Sequence, residues 1–139
     1  MIFIDSGAWI ALLDQRDGFH RSAQAFQQEL VAGSQGRLVT TDYVLDEAVT
    51  YLRQRGPVHL VGDFRDILAR SESVQVVWTT PDRFWAAWDT LLARPDKRWS
   101  LTDCLSFVTM QALGIRVAFG FDSDFRQAGF ELLPGPAKR

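Results

Sequence analysis

The sequence predicts an α/β protein, a three-layer α/β/α fold on a central parallel sheet of four or five strands. Three observations predict it. Short β-branched apolar runs alternate with segments of helical periodicity, the connections between them are short, and no repeat, low-complexity tract or linker interrupts the 139 residues. Strand–helix alternation of this kind closes as a parallel sheet with helices on both faces. The length supports one continuous core and not two, so residues 1–139 are expected to form a single domain.

Ile2-Phe3-Ile4 is a buried-type strand that stops at Asp5, and Ala8 to Leu13 reads as a short apolar helix. The second helix carries Ala23, Phe26 and Leu30 at helical spacing and stops at Gly33; Arg37 to Thr40 follows as a strand. A third helix starts at Asp42, taken as its N-cap, and sets Leu45, Ala48, Val49 and Leu52 in a stripe that ends before Gly56-Pro57. Val58, Val61, Phe64 and Leu68 mark a fourth helix, and Val74 to Trp78 a strand. Pro81 suits the first turn of a fifth helix, whose Phe84, Trp88 and Leu91 share a face, with Trp85 and Trp88 expected in core or interface packing. Arg94 to Trp99 is a polar loop. Ser100 to Asp103 opens a central helix that Gly114 closes, with the lone Cys104 read as a small buried hydrophobe. Val117 to Phe121 is a strand, Phe125 to Ala128 a short helix, and Glu131 to Leu133 a candidate edge strand.

Composition narrows the function. Ten Phe and five Trp exclude a disordered chain, and one cysteine excludes a disulfide framework or Cys-rich zinc site. No apolar run approaches the ~18 residues of a membrane helix, and the start has no basic region of a signal peptide, so a soluble cytoplasmic protein is expected. The net charge of −2 argues against electrostatic coating of nucleic acid, although 13 of the 15 basic residues are Arg, whose fork suits phosphates.

Open α/β sheets bind ligands beyond the carboxyl ends of their strands. Asp5 and Asp122 each follow an apolar strand, Asp103 begins a buried helix and Glu47 lies in the N-terminal half of another. Singly, each acid has an ordinary role as a cap, turn or solvated helix residue. Together they converge on one sheet edge, where carboxylates repel unless a cation neutralises them. Oxygen ligands of this kind suit Mg²⁺ or Mn²⁺, which can activate a water and stabilise a leaving oxygen without a histidine base. A phosphoaspartyl phosphatase of the haloacid-dehalogenase kind is excluded because Gly7 stands where its second Asp belongs. A receiver domain is excluded because Thr79-Thr80 ends the third strand.

The pattern resembles a PIN domain, and within that group the VapC toxins of toxin–antitoxin pairs. The resemblance is carried by MIFIDSGAWIALLD at the start, the D-x-x-H-x-x-A stretch from Asp17 to Ala23, and VLDEAV around Glu47. SLTDCLSF around Asp103 and FGFDSDF near the end complete it, so that it spans essentially the whole chain. It implies a PIN-like fold in which Asp5, Glu47, Asp103 and Asp122 are the acidic catalytic and metal-binding quartet. Asp124 would be an assisting metal acid, and Ser6 and Thr102 supporting polar residues. It further implies an endoribonuclease dependent on Mg²⁺ or Mn²⁺, a homodimer, inhibited by a small VapB-like antitoxin.

The expected reaction is in-line attack of water on an RNA phosphodiester, leaving a 5′-phosphate and a 3′-hydroxyl. Arg98, Trp99 and Arg126 flank the acids in sequence and are expected to grip phosphates or stack a base. The alternative is a non-catalytic module that pairs with an antitoxin or with RNA, which has no reason to keep all four acids. A structure-specific DNA nuclease would need additional DNA-binding elements.

Overall fold

A computed structural model describes residues 1–33 and 36–136. Five parallel strands, β1 (Ile2–Ile4), β2 (Leu38–Thr41), β3 (Val74–Val77), β4 (Val117–Gly120) and β5 (Glu131–Pro134), lie in the order β3-β2-β1-β4-β5. Seven helices connect and flank them: α1 (Ser6–Leu13), α2 (His20–Ala32), α3 (Asp42–Arg55), α4 (Val58–Arg70), α5 (Pro81–Ala93), α6 (Leu101–Leu113) and α7 (Asp124–Gln127). The expected α/β/α architecture is therefore present, with the candidate fifth strand at the sheet edge.

The chain winds outward from β1 through β2 to β3, then returns to place β4 on the other side of β1. That reversal opens a crevice at the carboxyl ends of β1 and β4. Phe3 pairs with Ala118 and Ile4 with Phe119, and the Asp5 N–H donates to the Phe119 carbonyl at 3.0 Å. The register fixes Asp5 at the mouth of the crevice, with Phe121 and Asp122 just beyond the end of β4.

Phe3, Ile4, Val39, Ala118 and Phe119 make the sheet's contribution to the core, and α6 packs Cys104, Leu105, Phe107 and Met110 into it. The αL conformation that ends α6 falls at Gly114, φ 68°, where a side chain would be strained. Four residues cannot hold a helix alone, so α7 depends on its anchor Phe125. That ring is fully buried, 5.2 Å from Phe107 and 6.2 Å from Phe3, and truncating it to Ala removes about 3–5 kcal/mol.

Three sequence expectations need correction. The N-cap of α3 is Thr41, whose Oγ1 accepts from the Val44 N–H; Asp42 instead accepts from the N–H and hydroxyl of Thr79, tying α3 to the chain after β3. Helix α5 buries Ala87 fully, while Trp85 and Trp88 are 59% and 44% exposed. Those two rings are therefore not core, which leaves interface packing as the part of the expectation that stands open. Trp99 departs most. Its ring packs edge-on to Phe107 at 5.1 Å, is only 8% exposed and lies beneath the Arg94 guanidinium, so it offers no free face to a base.

Candidate metal centre

Asp5 occupies the N-cap position of α1, yet its side chain makes no capping bond. The carboxylate is left free in the crevice, only 5% exposed. Burial pushes it up to about 8, and the charges of Asp103, Glu47 and Asp122 act in the same direction against the Ser6 N–H. Asp5 and Glu47 line one cleft with Asp122, which places these acids at the same sheet edge.

Asp103 is fixed by the start of its own helix. The Ser100 hydroxyl accepts from the Asp103 N–H at 3.0 Å, and the Asp103 carboxylate accepts from the Ser100 N–H at 3.1 Å. This capping box locks the side chain while leaving lone pairs facing the crevice. Burial, with the charges of Asp122 and Asp124, raises this carboxyl to about 6 despite the two Ser100 bonds.

Asp122 Oδ1 accepts from the Asp124 N–H at 2.9 Å, which folds the two acids into one turn at the start of α7. Asp103, Asp122 and Asp124 each place a carboxylate oxygen within 4.8 Å of the others, the one such group among the described residues. Burial and the Asp122 charge also raise Asp124, opposed by the charge of Lys97, a nearby cation that no motif in the sequence marks.

Glu47 completes the other side. It projects from α3 and its Oε1 accepts from the buried Ser6 hydroxyl. Both line a cleft of about 340 Å³ with Asp5 and Asp122. Aromatic rings also line this cleft: Phe19 and Phe121 stack 4.3 Å apart at 11°, and Tyr51 comes from α3, one turn beyond Glu47. Strand and helix periodicity gave no signal for these rings, because they come from three separate segments.

Gly120 explains how Asp5 fits. A Cβ there would lie 3.3 Å from the Asp5 Cβ and 3.6 Å from Leu132 Cδ1, closer than nearly all real contacts to the former. Thr102 lies in the first turn of α6, where its carbonyl accepts from the Ser106 hydroxyl. Arg98 is exposed in the loop before α6. Arg126 turns toward Gly135, where a Cβ would sit 2.5 Å from its Nη2.

The donors are all carboxylate oxygens, the hard ligands that suit Mg²⁺ or Mn²⁺. Burial, with the neighbouring acids acting in the same direction, disfavours their charged forms, and a bound cation would offset that. The residues fit a divalent cation.

A family model described as the PIN domain matches residues 2–131. The chain belongs to the PIN domain family. Over 130 residues it is 33% identical to the "23S rRNA-specific endonuclease VapC20" of Mycobacterium tuberculosis, an alignment covering 94% of this chain and 95% of that protein. It is 28% identical over 124 residues to the "VapC ribonuclease" of Archaeoglobus fulgidus, covering 88% of this chain and 77% of the relative. The crystal structure of M. tuberculosis VapC20, a "Sarcin-Ricin loop cleaving toxin", superposes with a TM-score of 0.83 at 31% identity, covering 94% of this PIN domain and 96% of that chain. Both sequence and fold thus set this PIN domain among the VapC proteins.

Proposed function

We propose that this chain is a divalent-metal-dependent endoribonuclease acting as the toxin of a toxin–antitoxin pair. The observation that carries the reading is the meeting of Asp103, Asp122 and Asp124 within 4.8 Å, beside a buried Asp5, at the crevice of the sheet. VapC20 is described as cleaving the sarcin–ricin loop, which makes a structured ribosomal RNA loop the first substrate to test here.

A bound Mg²⁺ or Mn²⁺ supplies an acidified water and neutralises charge at the scissile phosphate. Asp103, Asp122 and Asp124 would hold the ion, with Asp5 as a further donor from the end of β1. Ser6 orients Glu47 by donating to its Oε1, which leaves Oε2 to orient the attacking water and take its proton. Thr102 supports the first turn that carries Asp103. Phosphate binding falls to Arg98 and Arg126, while Trp99 supports the site from beneath. Cleavage leaves a 5′-phosphate and a 3′-hydroxyl.

The expected partners are an RNA substrate, a small VapB-like antitoxin and a second copy of the chain, acting in the cytoplasm. Trp85, Trp88 and Leu92 share one face of α5 and are each more than 40% exposed, an apolar face that association would cover. Light scattering on the purified chain should give twice the 15.7 kDa monomer mass; a monomer at micromolar concentration removes the homodimer. No helix among the described residues is long and apolar enough to cross a membrane.

The test is incubation of total cellular RNA with the purified chain in Mg²⁺, in Mn²⁺ and in EDTA, beside Asp5→Asn. Discrete fragments are expected only with metal and only from the wild type. Folded protein that leaves RNA intact in all conditions would favour a non-catalytic binding module, and cleavage surviving Asp5→Asn would move the site elsewhere.

A further inference from the structure

Helix α3 continues past Glu47 with Tyr51 and Arg55 at successive intervals of four residues, one stripe leading away from the acids. Tyr51 lines the acidic cleft on one side and an adjoining basin of about 390 Å³ on the other. Arg16, Asp14 and Arg55 form the basin's charged rim.

These charges are not equivalent. Arg16 is already neutralised: its Nε and Nη2 donate to the Asp14 carboxylate at 3.1 and 3.3 Å. Its Nη2 also donates to the Arg55 carbonyl at 3.0 Å, strapping down the last turn of α3. Asp17, the remaining acid, accepts from the Phe19 N–H at 3.0 Å. Arg55 makes no ion pair among the described residues, and its guanidinium carbon sits 4.6 Å from the centre of the Tyr51 ring. A guanidinium stacked on a ring through its face keeps its edge N–H donors available for a phosphate.

We infer that this basin is a subsite for single-stranded RNA, holding the nucleotide next to the scissile phosphate with its phosphate on the edge of Arg55 and its sugar and base along the side of Tyr51 that lines the basin. The inference rests on the ribonuclease reading and adds a strand path to it: the acids act on one phosphate while a cation on the same helix face holds a neighbouring one. Arg16 is a positioning residue, holding the end of α3 that presents Arg55.

The test measures fluorescence anisotropy of a 5′-fluorescein 20-nucleotide single-stranded RNA of mixed sequence, in Mg²⁺, with Asp103→Asn as the parent to stop turnover. Adding Tyr51→Ala should weaken binding about tenfold, whereas Tyr51→Phe, which keeps the ring and its packing, should stay within about twofold. Arg55→Ala should weaken binding and lower the slope of log affinity against log salt by about 0.7, the value for one phosphate contact on a single strand. Tyr51→Phe and Arg55→Ala leave the core intact, so their readout does not hinge on folding. If the parent binds and both Ala variants bind equally well with an unchanged salt slope, the subsite is overturned while the ribonuclease reading stands. If the parent does not bind and the wild type does not cleave this RNA or total RNA, the ribonuclease reading fails and the subsite with it.

Discussion

Asp103→Asn should abolish cleavage while raising the melting temperature of the ion-free protein. The two effects have one origin. Asp103 contributes an oxygen to the acid group and a negative charge that, without a cation, repels Asp122 and Asp124. An amide keeps the oxygen that accepts from the Ser100 N–H, so the capping box survives the substitution. What disappears is the charge. Turnover should fall by about 100-fold or more, beyond the 10–100-fold typical of residues that merely support metal ligands. In EDTA at pH 8, relief of about 1 kcal/mol of repulsion would raise the melting temperature by about 4 °C. Asp103→Ala separates the two roles: it relieves the same repulsion but forfeits the carboxylate's bond to the Ser100 N–H, worth about 1 kcal/mol, so its melting temperature should stay near that of the wild type. Cleavage retained in Asp103→Asn, in protein free of contaminating nuclease, would remove Asp103 from the centre.

The stability of the ion-free protein should fall as pH rises from 5 to 8.5, and a divalent cation should reverse the trend. Asp5 titrates near 8 and Asp103 near 6 in the folded chain, against 3.8 for an ordinary aspartate. The folded state therefore binds protons more tightly than the unfolded state. Stability from these two groups is complete below about pH 4, and is lost as pH climbs through 6 for Asp103 and through 8 for Asp5. Asp96, held down to about 2 by its ion pair with Arg94, loses its contribution only below the usual carboxylate range, outside this window. Melting curves in EDTA at pH 5.5, 7 and 8.5 should shift steadily downward. Mn²⁺ at 100 times its dissociation constant contributes about 2.7 kcal/mol by mass action, about 10 °C for a chain of this size. Because the ion competes with protons, its effect should grow with pH. A flat profile in EDTA together with no response to Mn²⁺ would mean that the acids do not act as one centre.

Much of the fold and the acid set was legible in the sequence. Most strands are short apolar runs, with Asp5 directly after β1 and Asp122 two residues past the end of β4. Ser100 and Asp103 stand at the spacing of a capping box, so a helix start and a ligand position were read from the same residues. What stayed hidden depends on neighbours remote in sequence. Trp99 lies in a polar stretch with Pro95 and Arg98, and nothing local shows that Phe107 will bury it. The spacing of Trp85 and Trp88 places them on one side of α5 but does not say which side meets the core; the small Ala87 does. Tyr51 and Lys97 drew no notice because neither belongs to a motif, and both gain importance only from what the fold sets beside them.

Gly120 carries a consequence for how related chains are judged. A methyl group at position 120 would lie 3.3 Å from the Asp5 Cβ, so Asp5 would have to shift by a few tenths of an ångström to admit it. A protein can therefore retain every acid of the centre and still have it disarranged by one added carbon on the neighbouring strand. Judging such a chain by its carboxylates alone leaves out the residue at position 120, whose size decides where Asp5 sits.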